Sequence, residues 1–274
     1  MSSTKDDLAR IELALDKAVG ILSQFVSGSM KADRKPSDRS LVTEADRSVN
    51  SLLRDFLVRD QEGWLSEEST DDLRRLEKHR IWVVDPLDGT QEFVAGIPEW
   101  SVSIAMIEGG RAIAGGVCNP ATGEIFLGSK ETGVTRNGKQ VQASKKDRLE
   151  GAVVLASRSE VGRGDWARFQ KSSFVIHPMG SVAYKLARVA AGLADATWTL
   201  SPKNEWDVAA GVALVEAAGG FVQFLPDSQP TFNKEATLFP GLFACGLLLR
   251  DPITSLLGQY TRASVPGIAP TTHL

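Results

Sequence analysis

The sequence predicts a mixed α+β / α/β fold, and three observations carry that reading. Leu8, Ile11, Leu15, Leu22 and Phe25 recur near a helical period from about Asp6 to Met30, so the chain opens on an amphipathic helix. Apolar runs at 101–107, 112–118 and 124–127 are separated by Glu108-Gly109-Gly110 and Asn119-Pro120-Ala121-Thr122-Gly123, the pattern of an antiparallel meander. From Ala152 onward, strand-like and helix-like segments alternate, which favours an α/β layer. Residues 1–150 are therefore read as N-terminal helices with an antiparallel sheet, 151–262 as an α/β part, and 263–274 as a loose tail.

After the first helix, the charged segment 31–40 carries Pro36 and reads as a loop or mobile hairpin. Thr43 caps a second helix through Val49, Leu52, Leu53 and Phe56, with Asp46 in its first turn. Trp64-Leu65-Ser66 leads to Glu67-Glu68, two acids that taken alone suit a solvated loop. The charged run 71–80 reads as an exposed turn, with His79 a surface residue, and Arg136-Asn137-Gly138-Lys139 as a hairpin tip. In the second half, strands are expected at 152–156, 174–177 and 194–200, and helices at 165–171 and 181–191. Gly180-Ser181 offers N–H groups and a hydroxyl to a ligand at that helix start, and capping explains them equally well. Trp206-Asp207-Val208-Ala209-Ala210-Gly211 opens a long apolar helix, and its small residues call for close packing that would hold Asp207 in a crowded interior. Final strands fall near 221–224 and 242–248. Trp100, Trp166 and Trp198 suit either a core or an interface.

An apolar content of 42% over 274 residues is ample for a core and excludes a disordered or fibrous chain. The formal net charge of -3, with no basic stripe interleaved with aromatics, argues against nucleic-acid polymers and membrane surfaces as partners. Cys118 and Cys245 show no metal-ligand spacing and read as reduced thiols of a cytoplasmic protein. The polar N-terminus is no signal peptide, and no run approaches the roughly 18 apolar residues of a membrane span.

The chemistry concentrates in Trp82-Val83-Val84-Asp85-Pro86-Leu87-Asp88-Gly89-Thr90-Gln91-Glu92-Phe93. Ile81 to Val84 reads as a buried strand that stops at a turn signal, with Asp85 at its carboxyl end. Pro86 removes a ladder donor and turns the chain out of the sheet, while Gly89 lets a ligand approach closely. At an effective dielectric of about 20, two like charges roughly 4 Å apart cost about 4 kcal/mol, so a cation should lie between Asp85 and Asp88. The donors are all oxygen, which selects a hard divalent ion, Mg²⁺ first. Gly89 and Thr90 offer backbone N–H groups to an anion. A metal beside an anion cradle points to phosphoryl chemistry.

Asp85-Pro86-Leu87-Asp88-Gly89-Thr90, followed by Trp206-Asp207-Val208-Ala209-Ala210-Gly211 and preceded by Glu67-Glu68-Ser69, resembles the paired signature of the inositol monophosphatase superfamily. The likeness spans Lys35 to Gly220. It implies a layered α-β-α-β-α sandwich, a homodimer, inhibition by lithium, and hydrolysis of a small phosphate ester by activated water. By the same resemblance, Glu67, Asp85 and the Leu87 carbonyl bind one Mg²⁺. Asp85, Asp88 and Asp207 bind a second, with room for a weaker third near Glu67 and Asp46. Glu67 and Thr90 position the attacking water, helped by Asp46 and Thr43. Substrate contacts are expected from Asp88, Gly89, Thr90, Ser157, Arg158, Gly180, Ser181, Lys203 and Asp207.

Ser66 stands where the family commonly has Gly, and Ser40 where it often has Asp; neither removes a ligand. No Glu occupies the neighbourhood of Thr199, where the inositol-specific branch usually grips hydroxyls. Gln91-Glu92-Phe93 and Ser157-Arg158-Ser159 resemble the 3′(2′),5′-bisphosphate nucleotidases, with Arg158 and Lys203 meeting the extra phosphate of adenosine 3′,5′-bisphosphate. Gly96-Ile97-Pro98 is closer to the inositol phosphatase branch. Competing readings are inositol-1-monophosphatase, fructose-1,6-bisphosphatase or histidinol-phosphatase activity on the same fold. From another class come a catalytically silent metal-binding regulator and an interaction module with an incidental acidic cluster.

Overall fold

The computed structural model describes residues 3–35, 40–225 and 228–263; Pro36 and nearly all of the 263–274 tail lie outside them. Helix α1 (Thr4–Leu22) is closed at its start by a Ser3–Asp6 capping box. It ends before Met30 because Gly28, at φ 84°, turns back to donate its N–H to the Phe93 carbonyl at 2.9 Å. A short hairpin of β1 (Asp33–Arg34) and β2 (Leu41–Val42) follows, then α2 (Glu44–Leu57), capped by Thr43 as its spacing predicts.

Seven strands form the first sheet: β3 (Glu62–Ser66), β4 (Arg80–Asp88), β5 (Ser101–Glu108), β6 (Arg111–Asn119), β7 (Glu124–Ser129), β8 (Gly133–Arg136) and β9 (Lys139–Val141). They lie in chain order, with β3 parallel to β4 and every later pair antiparallel. Asn137 and Gly138 both take positive φ, 48° and 74°, the backbone of a two-residue hairpin turn. The helix α3 (Thr90–Ala95) leaves the end of β4.

The second sheet holds β10 (Val153–Ser157), β11 (Val175–Met179), β12 (Ala196–Thr199), β14 (Gly220–Phe224) and β16 (Leu242–Gly246). Strand β13 (Lys203–Asn204) pairs separately with β15 (Leu238–Phe239). The β10–β11 and β10–β12 pairs are parallel, and β16 runs antiparallel between β12 and β14. Helices α4 (Arg158–Gly162), α5 (Val182–Ala190), α6 (Glu205–Ala217) and α7 (Arg250–Ala263) complete the chain. The helix expected at 165–171 is only a 3-10 turn at Ala167–Phe169. Ser157 accepts from the Glu160 N–H and starts α4 earlier in the chain. Helix α7 carries Pro252 and Gly258, breaker signals that hide it, yet proline is tolerated in a first turn.

The layers follow from which faces are apolar. Trp82, Val84, Ile104 and Met106 point one way, onto α1 and α2. Ile81, Val83, Ala105 and Ile107 point the other way, onto α5 and α6. The far side of the α5–α6 pair carries the second sheet, whose outer face packs Trp166, Phe169, Leu249, Ile253 and Leu257 against Trp198 and Phe243. This is the α-β-α-β-α sandwich. Trp166 stacks on Trp198 at 5.0 Å and Trp100 meets Phe93 edge-on at 4.9 Å, so all three tryptophans in question belong to cores.

Helix α6 is hydrophobic all round because it is clamped on both sides. A Cβ on Gly115 of β6 would lie 2.6 Å from the Ala210 carbonyl oxygen, and one on Gly211 would overlap Leu186 of α5. Gly115→Ala should therefore cost roughly 1–3 kcal/mol of unfolding free energy, since backbone rather than a flexible tip must move. Gly20→Ala, in an exposed helical position with nothing within 4 Å, should stabilise by up to about 1 kcal/mol. Urea denaturation of the two variants measures both, and a neutral Gly115→Ala would contradict the close packing of α6.

Candidate active site

Strand parity delivers the first carboxylate. Side chains alternate along β4, so Asp85 continues the Ile81–Val83 face toward α6, whose first turn carries Asp207. Ser66 pairs with Val84 in the parallel β3–β4 ladder, so the next residue, Glu67, leaves the sheet beside Asp85. Glu67, Asp85 and Asp207 each present an oxygen within 4.8 Å of the others. The register breaks between Asp85 and Asp88, so strand β4 continues past Pro86 only as an irregularity. There the Leu87 N–H donates to Asp85 Oδ1 at 3.0 Å. Gly89, at φ 99°, starts α3, and a Cβ there would lie 3.0 Å from the Glu99 carbonyl.

Asp88 is held from the opposite wall. Its Oδ2 accepts from Ser181 Oγ at 2.7 Å and from the Ala183 N–H at 2.6 Å. Ser181 sits at φ 50°, a sparsely populated region for a residue with a side chain, where its hydroxyl reaches both Asp88 and the Tyr184 N–H. Asp46 is buried beneath Thr90: its Oδ2 accepts from the Thr43 N–H at 2.8 Å and Thr43 Oγ1 at 2.5 Å. Its Oδ1 lies 3.1 Å from Thr90 Oγ1, which is equally far from the Leu87 carbonyl oxygen.

Burial pushes every carboxyl of this cluster up. Glu67 rises to about 8 and Asp207 to about 7, through loss of solvent first and the neighbouring carboxylates second; the Lys35 ammonium opposes the rise at Glu67. Asp85 is raised well above its ordinary value by burial and then by Glu67, Asp88 and Asp207. Burial also raises Asp88 and Asp46. Lys35 bridges Glu67 at 2.7 Å and Glu68 at 2.6 Å. Converging oxygen donors whose negative charge Lys35 balances only in part are what a hard divalent cation requires, and Mg²⁺ fits them.

Beyond the carboxylates opens a cleft of about 290 Å³, lined among others by Glu92, Ser157, Gly180, Ser181, Lys185 and Lys203. Gly89 and Thr90 form its near rim. Arg158 lies outside this lining and forms a two-pronged pair with Glu99 at 2.6–3.1 Å, which also takes the Gly180 N–H at 2.8 Å. Thr199 is buried and donates to Glu160, away from the cleft. Lys185 is a residue the sequence reading missed. Its ammonium is buried, donates to the Ser181 carbonyl at 2.9 Å, and is lowered by desolvation to about 8. A lone lysine within the small apolar run of α5 was the signal. Lys35 and Glu99 were missed as well, because only the fold brings them beside the site, while Glu92, in α3 two residues past Thr90, entered only as part of a family likeness.

The sequence profile described as "Inositol monophosphatase family" matches residues 4–241. The chain belongs to the inositol monophosphatase family. It is 32% identical over 235 residues to an inositol-1-monophosphatase of Rhizobium meliloti, covering 82% of this chain and 84% of that one. The solved IMPase of Thermotoga maritima superimposes with a TM-score of 0.78 at 27% identity, over 95% of this chain and 99% of that chain. CysQ of Bacteroides thetaiotaomicron, described as a bacterial member of the family, gives 0.73 at 27%, over 88% and 97%. As a family member, the protein is a metal-dependent phosphatase acting on small phosphorylated substrates. No helix among the described residues is long and apolar enough to cross a membrane.

The raised carboxyls set a sign for pH dependence. Glu67 and Asp207 have ordinary values of 4.5 and 3.8, so between those and about 8 and about 7 the folded, metal-free chain holds protons the unfolded chain has released. Stability then falls as pH rises. Thermal midpoints in chelator should decline from about pH 5 to about pH 8, and the rise produced by Mg²⁺ should grow over the same interval as metal displaces protons. Midpoints that climb with pH in chelator would contradict the shifts.

Proposed function

We propose that this protein is a Mg²⁺-dependent phosphomonoesterase that removes the 3′-phosphate of adenosine 3′,5′-bisphosphate. One observation carries the choice of substrate: the cleft beyond the carboxylates is lined by Lys203, whose ammonium has no hydrogen bond or ion pair among the described residues, with the buried Lys185 charge behind it, a lining suited to a second phosphate. Thr199 supports the same choice, since it stands about where the inositol-specific branch usually carries Glu and its hydroxyl is occupied by Glu160, away from the cleft. The second reading is inositol-1-monophosphatase, favoured by the names of relatives such as that of Rhizobium meliloti.

In this reading Glu67, Asp85 and the Leu87 carbonyl would hold one Mg²⁺, and Asp85, Asp88 and Asp207 a second, with a weaker third near Glu67 and Asp46. The ions supply Lewis-acid stabilisation of phosphoryl charge and acidify water. The chain does the rest. Thr90 Oγ1 donates to Asp46 Oδ1, which leaves its lone pairs to accept a hydrogen bond from a water at the rim and so orient it. Thr43 locks the acceptor side of Asp46, so the Thr90 hydroxyl keeps its direction. Glu67 is the second acceptor for that water. The first-turn N–H groups after Gly89 lack helix partners and would be free to donate to phosphate oxygens. Ser157, Gly180 and Ser181 complete the substrate wall. A homodimer, a cytoplasmic location and lithium inhibition accompany this reading.

Phosphate release with Mg²⁺ from adenosine 3′,5′-bisphosphate and inositol 1-phosphate tests it. Asp85→Asn and Asp207→Asn should each lose more than the roughly 10–100-fold typical of residues one shell away from a metal. Full turnover in both would make the assigned site wrong. Lys203→Ala should raise KM for the bisphosphate more than for inositol 1-phosphate, and equal effects would favour the second reading.

A further inference from the structure

Most polar groups along the cleft are already committed to one another. Asp88 accepts from Ser181 and Ala183, Lys185 is ringed by the carbonyls of Met179, Gly180 and Ser181, and Glu99 serves Arg158 and Gly180. Among the carboxylates of the lining, Glu92 is the exception. It is half-buried in the cleft lining, and among the described residues its carboxylate accepts no hydrogen bond from another residue and forms no ion pair. Its place is tightly set, because a Cβ on Gly180 would lie 2.5 Å from Glu92 Cγ. Gly180 immediately precedes Ser181, whose hydroxyl holds Asp88. An uncommitted acceptor therefore stands one residue from the carboxylate cluster.

The chemistry of its ligand follows from the charges around it. A phosphate oxygen would be repelled by the carboxylate, and a cationic group by the Lys185 and Lys203 ammonium groups in the same cleft. A neutral donor remains, and a hydroxyl donates one hydrogen bond without carrying charge. Both candidate substrates bear a hydroxyl on the carbon next to the phosphorylated one.

We propose that Glu92 is a specificity-determining residue that accepts a hydrogen bond from the hydroxyl vicinal to the scissile phosphate. This rests on the phosphomonoesterase reading above. Two matched pairs of esters test it: adenosine 3′,5′-bisphosphate against its 2′-deoxy counterpart, and inositol 1-phosphate against cyclohexyl phosphate. For the pair turned over faster, the wild type should prefer the hydroxylated ester by roughly tenfold to a hundredfold in kcat/KM. Glu92→Ala should bring that ratio within about threefold of unity, with Glu92→Gln between, since an amide oxygen still accepts but carries no charge. A wild-type ratio near unity, or one that survives in Glu92→Ala, overturns the assignment and leaves the phosphatase reading standing. The wild-type ratio needs no variant, so a misfolded mutant does not protect the proposal. Release from none of the four esters overturns both readings together.

Discussion

Three carboxylate oxygens brought within 4.8 Å of one another in a solvent-poor cleft are the constraint on which the rest of this structure depends. Burial first and mutual repulsion second raise these carboxyl groups well above their ordinary values. A fold selected only for stability would place apolar side chains there. Keeping the acids costs stability, and that cost is offset only when positive charge enters. Lys35 supplies part of it from the β1–β2 hairpin, by pairing with both Glu67 and Glu68.

The scaffold makes the convergence rigid rather than incidental. Parity along β4 aims Asp85 at the first turn of α6, and the close approach of α6 to Gly115 on one side and Leu186 on the other fixes where Asp207 can be. The α6 capping box adds a hydrogen bond from the Asn204 N–H to Asp207 Oδ2 at 2.8 Å. Asp88 is anchored by the start of α5 instead, so the two helices of the middle layer each place one acid. Gly89 and Thr90 after β4, and Ser181 and Lys185 at the start of α5, line the cleft beside the cluster.

Local signals explain what was legible in the sequence. The strand-turn-helix from Ile81 to Phe93 was visible because apolar residues, proline and glycine fall in a fixed order, and Asp207 because small residues follow it. Thr43 and Asp46 were legible as a cap. What could not be read was pairing across distance: Glu99 with Arg158 spans 59 positions, and Lys35 with Glu67 spans 32. Helix α7 was hidden by a proline that a first turn accepts, and the 165–171 segment looked helical although Trp166 and Phe169 serve the outer core from a single turn. Long-range charge pairs carry no periodicity, so only folding reveals them.

The measurement that bears most directly on this account is calorimetric titration of the metal-free protein with Mg²⁺ near neutral pH, in buffers of different ionisation enthalpy. If the converging carboxylates hold the ion, binding releases protons, the number released falls as pH rises, and Asp207→Asn weakens binding. Binding with no proton release, or unchanged in Asp207→Asn, would contradict the claim that this cluster is the metal centre.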